Sequence, residues 1–320
     1  MSHALPPSQV WFVSGNVWGG RLFGDWLRAR RLYEPEVFRF RAVAMVPSSM
    51  QASYRANVAG VELINSEAGD LWRYALAPLS ADAFAARHVA PAELVEERRS
   101  GRLRPKRFLS FNRTLRLHRQ VLVSYLAGRG WLDDSIVSFS AGAIPFFDVV
   151  GFPVATDAVQ QGWEQVRARL PLVIDGIRDR VFGHAIEDGA PYRESYFNIV
   201  TETEVSDACA PFSTEKVLKP MLNLQPFLLI SSPETLRYVR AMGFKTFDRL
   251  VDEGYDQVTD SIERLGQIFA QIDRLAALSL TEARDRYFDC LPELEHNRAH
   301  LIDGNHVFDA LLDEIERDLA

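Results

Sequence analysis

Two short segments concentrate the side chains that could do chemistry: Phe108-Leu109-Ser110-Phe111-Asn112-Arg113-Thr114-Leu115-Arg116-Leu117-His118-Arg119 and Phe212-Ser213-Thr214-Glu215-Lys216-Val217-Leu218-Lys219-Pro220. In the first, Arg113, Arg116 and Arg119 recur every third residue behind Asn112; in the second, Glu215 and Lys216 follow Thr214, with Lys219 a turn further on. Both read as a loop meeting the start of a helix, where backbone N–H groups and the positive end of the helix dipole favour an anion. Arginine forks match phosphate oxygens. Arg113, Arg116 and Arg119 are therefore candidates to surround a diphosphate, Lys216 to add a point charge, and Glu215 to accept hydrogen bonds from ribose hydroxyls. As a set these residues describe a nucleotide-sugar pocket. Taken singly, each has a plainer role: Thr214 as a helix cap, Glu215 and Lys216 as first-turn surface charges, Arg116 as a solvated cation.

The elements that must position these residues alternate between strand and helix. Gln9 to Ser14, Val37 to Val46 and Gly60 to Ile64 read as strands in the first hundred residues, with a helix over Leu22 to Arg31 and another from Leu71. Arg107 to Phe111 reads as a strand that ends in Asn112, followed by a helix over Leu115 to Leu126. Ile136 to Phe139, Ser195 to Thr201 and Pro226 to Ile230 are further strands, with helices over Val217 to Leu224 and Thr235 to Met242. Such alternation predicts an α/β fold with parallel sheets, in which the polar ends of both segments lie at the carboxyl ends of strands. Ser232-Pro233-Glu234 predicts an N-cap and a first-turn proline. From about residue 256 the pattern is helical, with Ile262, Leu265, Ile268, Phe269 and Ile272 on one face.

Composition narrows the function classes. The 320 residues are 47% hydrophobic and 25% charged, which excludes disorder, collagen and coiled coil. A formal net charge of −7 argues against general nucleic-acid binding. The charges are nevertheless segregated: Arg98 to Leu132 holds ten basic residues and no carboxylate, whereas residues 251–320 hold seventeen acids and six bases. The cationic stretch predicts an anion partner, although Arg98 to Lys106 alone has the make-up of an exposed connection. Cys209 and Cys290 stand far apart with no CxxC, so neither a disulfide framework nor a zinc site is expected. With no leader-like start and no apolar run of about 18 residues, the reading is a soluble, cytoplasmic chain without a transmembrane segment.

Phe197-Asn198-Ile199-Val200-Thr201-Glu202-Thr203, then Phe212-Ser213-Thr214-Glu215-Lys216, then Lys219-Pro220 and Pro226-Phe227-Leu228-Leu229 resemble the donor-binding half of the fucosyltransferase-type GT-B glycosyltransferases. That family carries Phe-x-x-x-x-Glu-Asn, then Tyr-x-Thr-Glu-Lys, then a helix and an apolar strand. The resemblance implies that Glu215 holds the ribose and Lys216 approaches the diphosphate. It also implies that a Ser-Asn pair with a phosphate-gripping arginine falls on Ser110 or Phe111 with Asn112, then Arg119, and it adds Glu202 and Lys219 to the donor-binding set. It covers roughly Lys106 to Phe247. Thr203 stands where the family has Asn, Phe212 where it has Tyr, and Asn112 follows Phe. The implied fold is α/β, with two Rossmann-like domains of GT-B type and a helical C-terminal tail. Residues 1–100 would form the acceptor-side domain and 101–320 the nucleotide-sugar-binding domain. The implied activity is that of a hexosyltransferase or fucosyltransferase-like enzyme in polysaccharide biosynthesis, with a nucleoside diphosphate sugar as donor and a glycan or other hydroxyl as acceptor.

In such an enzyme the first domain supplies a base for the acceptor hydroxyl. Asp25, Glu62, Glu67 and Asp70 are candidates; Glu67 and Asp70 are preferred because they follow a strand in a polar turn, where either is equally suited to cap a helix. Without Asp-x-Asp or paired carboxylates, neither metal nor other cofactor is expected, and cationic side chains would stabilise the leaving group. Two rival expectations stand beside transfer: a non-catalytic nucleotide-sugar or anion-binding module, and an assembly protein acting through its acidic helical tail.

Overall fold

The computed structural model describes residues 11–14, 41–46, 61–65, 88–144, 155–174, 189–203, 205 and 215–303. The chain divides into two compact units, Met1–Tyr74 with Ile302–Ala320, and Ala75–Leu301. In the first, β1 (Trp11–Ser14), β2 (Arg41–Val46) and β3 (Val61–Asn65) form a parallel sheet in the order β1-β2-β3. Trp11 lies opposite Arg41, and Ala42 opposite Val61. The helices expected over Leu22 to Arg31 and from Leu71 fall outside the described residues, as do Asp25, Glu67 and Asp70.

The second unit is built on β4 (Lys106–Asn112), β5 (Ser135–Phe139), β6 (Ser195–Thr201) and β7 (Phe227–Ile230), all parallel in the order β5-β4-β6-β7. Of its central strands β6 is buried along its length and β4 at Phe108, Leu109, Ser110 and Asn112, as parallel strands covered by helices on both faces require. The helices are α1 (Pro91–Ser100), α2 (Leu117–Gly128), α3 (Thr156–Arg167), α4 (Ala190–Arg193), α5 (Glu215–Leu222), α6 (Thr235–Ala241), α7 (Ser261–Ala276), α8 (Leu280–Asp289) and α9 (Leu291–Asp303). α2 and α3 cross at glycine contacts, because a Cβ on Gly162 would stand 1.7 Å from the Ser124 carbonyl oxygen. The strand order sets the functional geometry. β4 leads through α2 to β5 on one side, and β6 leads through α5 to β7 on the other, so the connections diverge between the carboxyl ends of β4 and β6. Open α/β sheets bind ligands at such a switch point.

Three local expectations change. Arg98 to Lys106 is not simply an exposed connection. Residues 91–100 form α1, and Arg104, 1% exposed, makes a bidentate ion pair with the buried Glu97 at 2.8 and 2.9 Å. α6 starts at Thr235 as expected, but Glu234 before it is in the left-handed region, Pro233 is not in its first turn, and Ser232 does not cap it. Its free N–H groups are capped from afar: the Asp256 carboxylate accepts from Leu236 N at 2.8 Å and Arg237 N at 3.0 Å. The helices after residue 256 are part of the core and not an appendage: Tyr287 of α8 is fully buried and bonds the Leu224 carbonyl at 2.6 Å. Acidic residues there also neutralise the basic stretch, as Asp273 does for Arg129 at 3.0 Å.

Candidate functional site

The crevice between β4 and β6 is organised by a chain of side-chain hydrogen bonds across the two strand ends. Ser110 Oγ donates to the Ile199 carbonyl at 2.8 Å, Asn112 Nδ2 donates to Ser110 Oγ at 3.0 Å, and Thr201 Oγ1 donates to Asn112 Oδ1 at 2.8 Å. All four residues are buried. This network locks strands with divergent connections together where their loops separate, so Asn112 orders the floor of the crevice.

Above that floor, the first turn of α2 grips the end of β6. His118 Nε2 bonds the Glu202 carbonyl at 2.9 Å, and Arg119, 3% exposed, reaches the same carbonyl at 3.3 Å and that of Thr201 at 3.1 Å. The other Arg119 terminal nitrogen donates to the Thr114 carbonyl at 2.9 Å. From the far side of the crevice, Lys216 in the first turn of α5 lies 3.7 Å from the fully buried Glu202 carboxylate and donates to Thr203 Oγ1 at 3.3 Å. Burial drives the His118 imidazole down to about 3, and the charges of Arg119, Arg116 and Lys216 push the same way against the Glu202 carbonyl. Two helix starts, three cations and one imidazole thus converge on the switch point, an arrangement suited to a phosphate group.

The structure brings Asn112, Arg116, Arg119, Glu202 and Lys216 together. Arg113 is exposed on the loop between β4 and α2, and Arg116, the residue before α2, is half-buried. Lys219 lies one turn along α5 and is half-buried. Glu215 is the first residue of α5, and Thr214 lies outside the described residues. Among the described residues no three His, Cys, Asp or Glu side chains gather as a metal centre would need, and no described helix is long and apolar enough to cross a membrane. His118 was absent from the expected set; its only sequence signal is its place one residue before Arg119.

The basic stretch also proves less uniform than its composition suggests. Arg99, Arg102, Arg104, Arg107 and Arg129 pair with Glu96, Glu194, Glu97, Asp134 and Asp273 at 2.7 to 3.0 Å. Arg119 itself is committed to three backbone carbonyls. Arg119→Ala is therefore expected to lower stability by about 1–3 kcal/mol before any ligand is added, since it strands buried acceptors. Urea unfolding checks this. A variant as stable as the wild type that still loses diphosphate would return Arg119 to direct phosphate contact.

No family model matches the sequence, and no curated protein does. Among solved structures the chain is similar to a glycosyltransferase from Rickettsia africae ESF-5, at 10% identity and a TM-score of 0.33, over 92% of this chain and 80% of that one. A likeness this distant assigns neither activity nor ligand.

Proposed function

We propose that the protein is a GT-B-type glycosyltransferase acting in the cytoplasm, one that moves a sugar from a nucleoside diphosphate to a glycan or other hydroxyl acceptor without a metal. One observation carries the reading: Lys216, from the Thr-Glu-Lys segment, and the cations at the start of α2 meet at the switch point between β4 and β6. Arg116 and Lys216 neutralise the diphosphate, and Arg113 closes over it from the exposed loop. Asn112 and Arg119 fix the loop and strand ends that carry them. Glu215 opens α5 and holds the ribose, Thr214 belongs to the same donor-binding set, and Lys219 adds a second cation on the helix. The leaving nucleoside diphosphate is stabilised by these fixed charges, and a carboxylate of the first unit, Glu67 or Asp70, removes the acceptor proton.

The test is release of nucleoside diphosphate from a panel of nucleotide sugars, with and without hydroxyl acceptors. Release is expected to be slow alone, faster with a matching acceptor, and undiminished in excess EDTA. Complete loss in chelator, restored by Mg²⁺ or Mn²⁺, would refute metal independence. Tight nucleotide-sugar binding with no turnover for any acceptor would leave the non-catalytic binding module.

A further inference from the structure

We propose that His118 is a ligand-responsive positioning residue of the switch-point crevice, taking up a proton from solvent on Nδ1 when a dianion is held beside it and so tying anion affinity to pH. The inference rests on the anion-binding reading given above. The ring is nine-tenths buried, and Nε2 lies 2.9 Å from the Glu202 carbonyl. A carbonyl oxygen only accepts, so the proton of the neutral ring sits on Nε2 and Nδ1 keeps its lone pair. Among the described residues the charged groups around it are Arg116 just before α2, Arg119 on α2, Lys216 on α5 and, after β6, the Glu202 carboxylate, 3.7 Å from Lys216 Nζ.

Burial opposes a second proton on the ring, and these cations oppose it further. A dianion among Arg116, Arg119 and Lys216 offsets the cationic part and leaves the burial part in place. The imidazolium that forms keeps its Nε2–H bond to Glu202 and gains an N–H on Nδ1. No covalent bond is made, and the proton returns to solvent when the anion leaves. The sign follows from linkage: the bound form holds more protons than the free form, so affinity rises as pH falls through the bound-state pKa. Because burial persists, the rise falls below neutrality.

Sulfate is a suitable probe, because it stays a dianion across this range. It is titrated calorimetrically into the full chain at about pH 6 and about pH 3.5, in buffers of different ionisation heat, with wild type and His118→Gln compared. Wild type is expected to bind about threefold more tightly at the lower pH, corresponding to a rise of about one pKa unit on binding, and to take up a fraction of a proton. His118→Gln is expected to lose both the pH slope and the proton uptake. Ring ¹⁵N shifts of His118 in unsubstituted protein give the same readout should the variant fail to fold; they should move towards the imidazolium form as sulfate is added. Equal slopes and proton counts in the two proteins, or ring shifts indifferent to bound sulfate, would overturn the proposal for His118 while leaving the anion site standing. Absence of sulfate binding by wild type at both pH values would overturn the anion site itself.

Discussion

Glu97→Ala is expected to lower the stability of the protein by about 3–5 kcal/mol, because it leaves the Arg104 guanidinium charged and buried without its carboxylate. Arg104 sits at a junction. Besides the bidentate contact with Glu97 of α1, it donates to the Tyr192 carbonyl of α4 at 3.0 Å and the Ser195 carbonyl of β6 at 2.8 Å. It also stacks 4.1 Å from the ring centre of Tyr287 in α8, and its backbone N–H donates to Tyr196 Oη at 2.9 Å. One side chain therefore ties the segment before β4 to β6 and to the C-terminal helices, at the amino end of the sheet that carries the crevice at its other end. Urea denaturation with an unchanged m-value measures the loss. The double variant Glu97→Leu/Arg104→Met removes both charges and should cost much less than Glu97→Ala, since apolar replacements of a buried pair are often close to neutral. A loss under about 1 kcal/mol for Glu97→Ala would show that the guanidinium finds water or another acid.

The second large effect concerns the ligand. As the first residue of α5, Glu215 would contribute only a few tenths of a kcal/mol to stability if its carboxylate merely complements the helix dipole. As a ribose ligand it accepts two hydroxyl protons, and Glu215→Ala then costs about 1.5–3 kcal/mol in donor binding, roughly ten- to hundredfold in Kd, while the fold survives. Glu215→Gln should fall between the two, because the amide keeps one acceptor oxygen and loses the charge. Calorimetric affinities of the three proteins for a nucleoside diphosphate check the order.

Much of the sheet was legible in the sequence, because buried strands leave short, largely apolar runs: the expected Ser195 to Thr201 and Pro226 to Ile230 match β6 and β7 to within one residue. The order of those strands was not legible, since nothing in a single strand records its neighbour, and it is the order β5-β4-β6-β7 that makes the ends of β4 and β6 a topological switch point. Local composition misled where partners are remote. Arg104 stands between Gly101 and Pro105 like a loop residue, yet its partners lie on α1, α4, β6 and α8. Ser232 had the chemistry of a cap, but the cap of α6 is Asp256, twenty residues along the chain from Leu236. Charge counting could not show that Arg119 also holds three backbone carbonyls, because such partners leave no mark in a count of acids and bases. His118 escaped notice for a related reason: its environment comes from Glu202 and Lys216, which the chain places far from it.

The most direct test of the account is calorimetric titration of the wild-type protein with a ribonucleoside diphosphate, its 2′-deoxy form and the bare nucleoside. A nucleotide-sugar site with cations on the diphosphate and Glu215 on the ribose binds the first best, loses affinity when the 2′-hydroxyl is removed, and binds the nucleoside weakest of all. Equal affinity for all three ligands, or no binding of any, would contradict the assignment of the switch-point crevice to a nucleoside diphosphate.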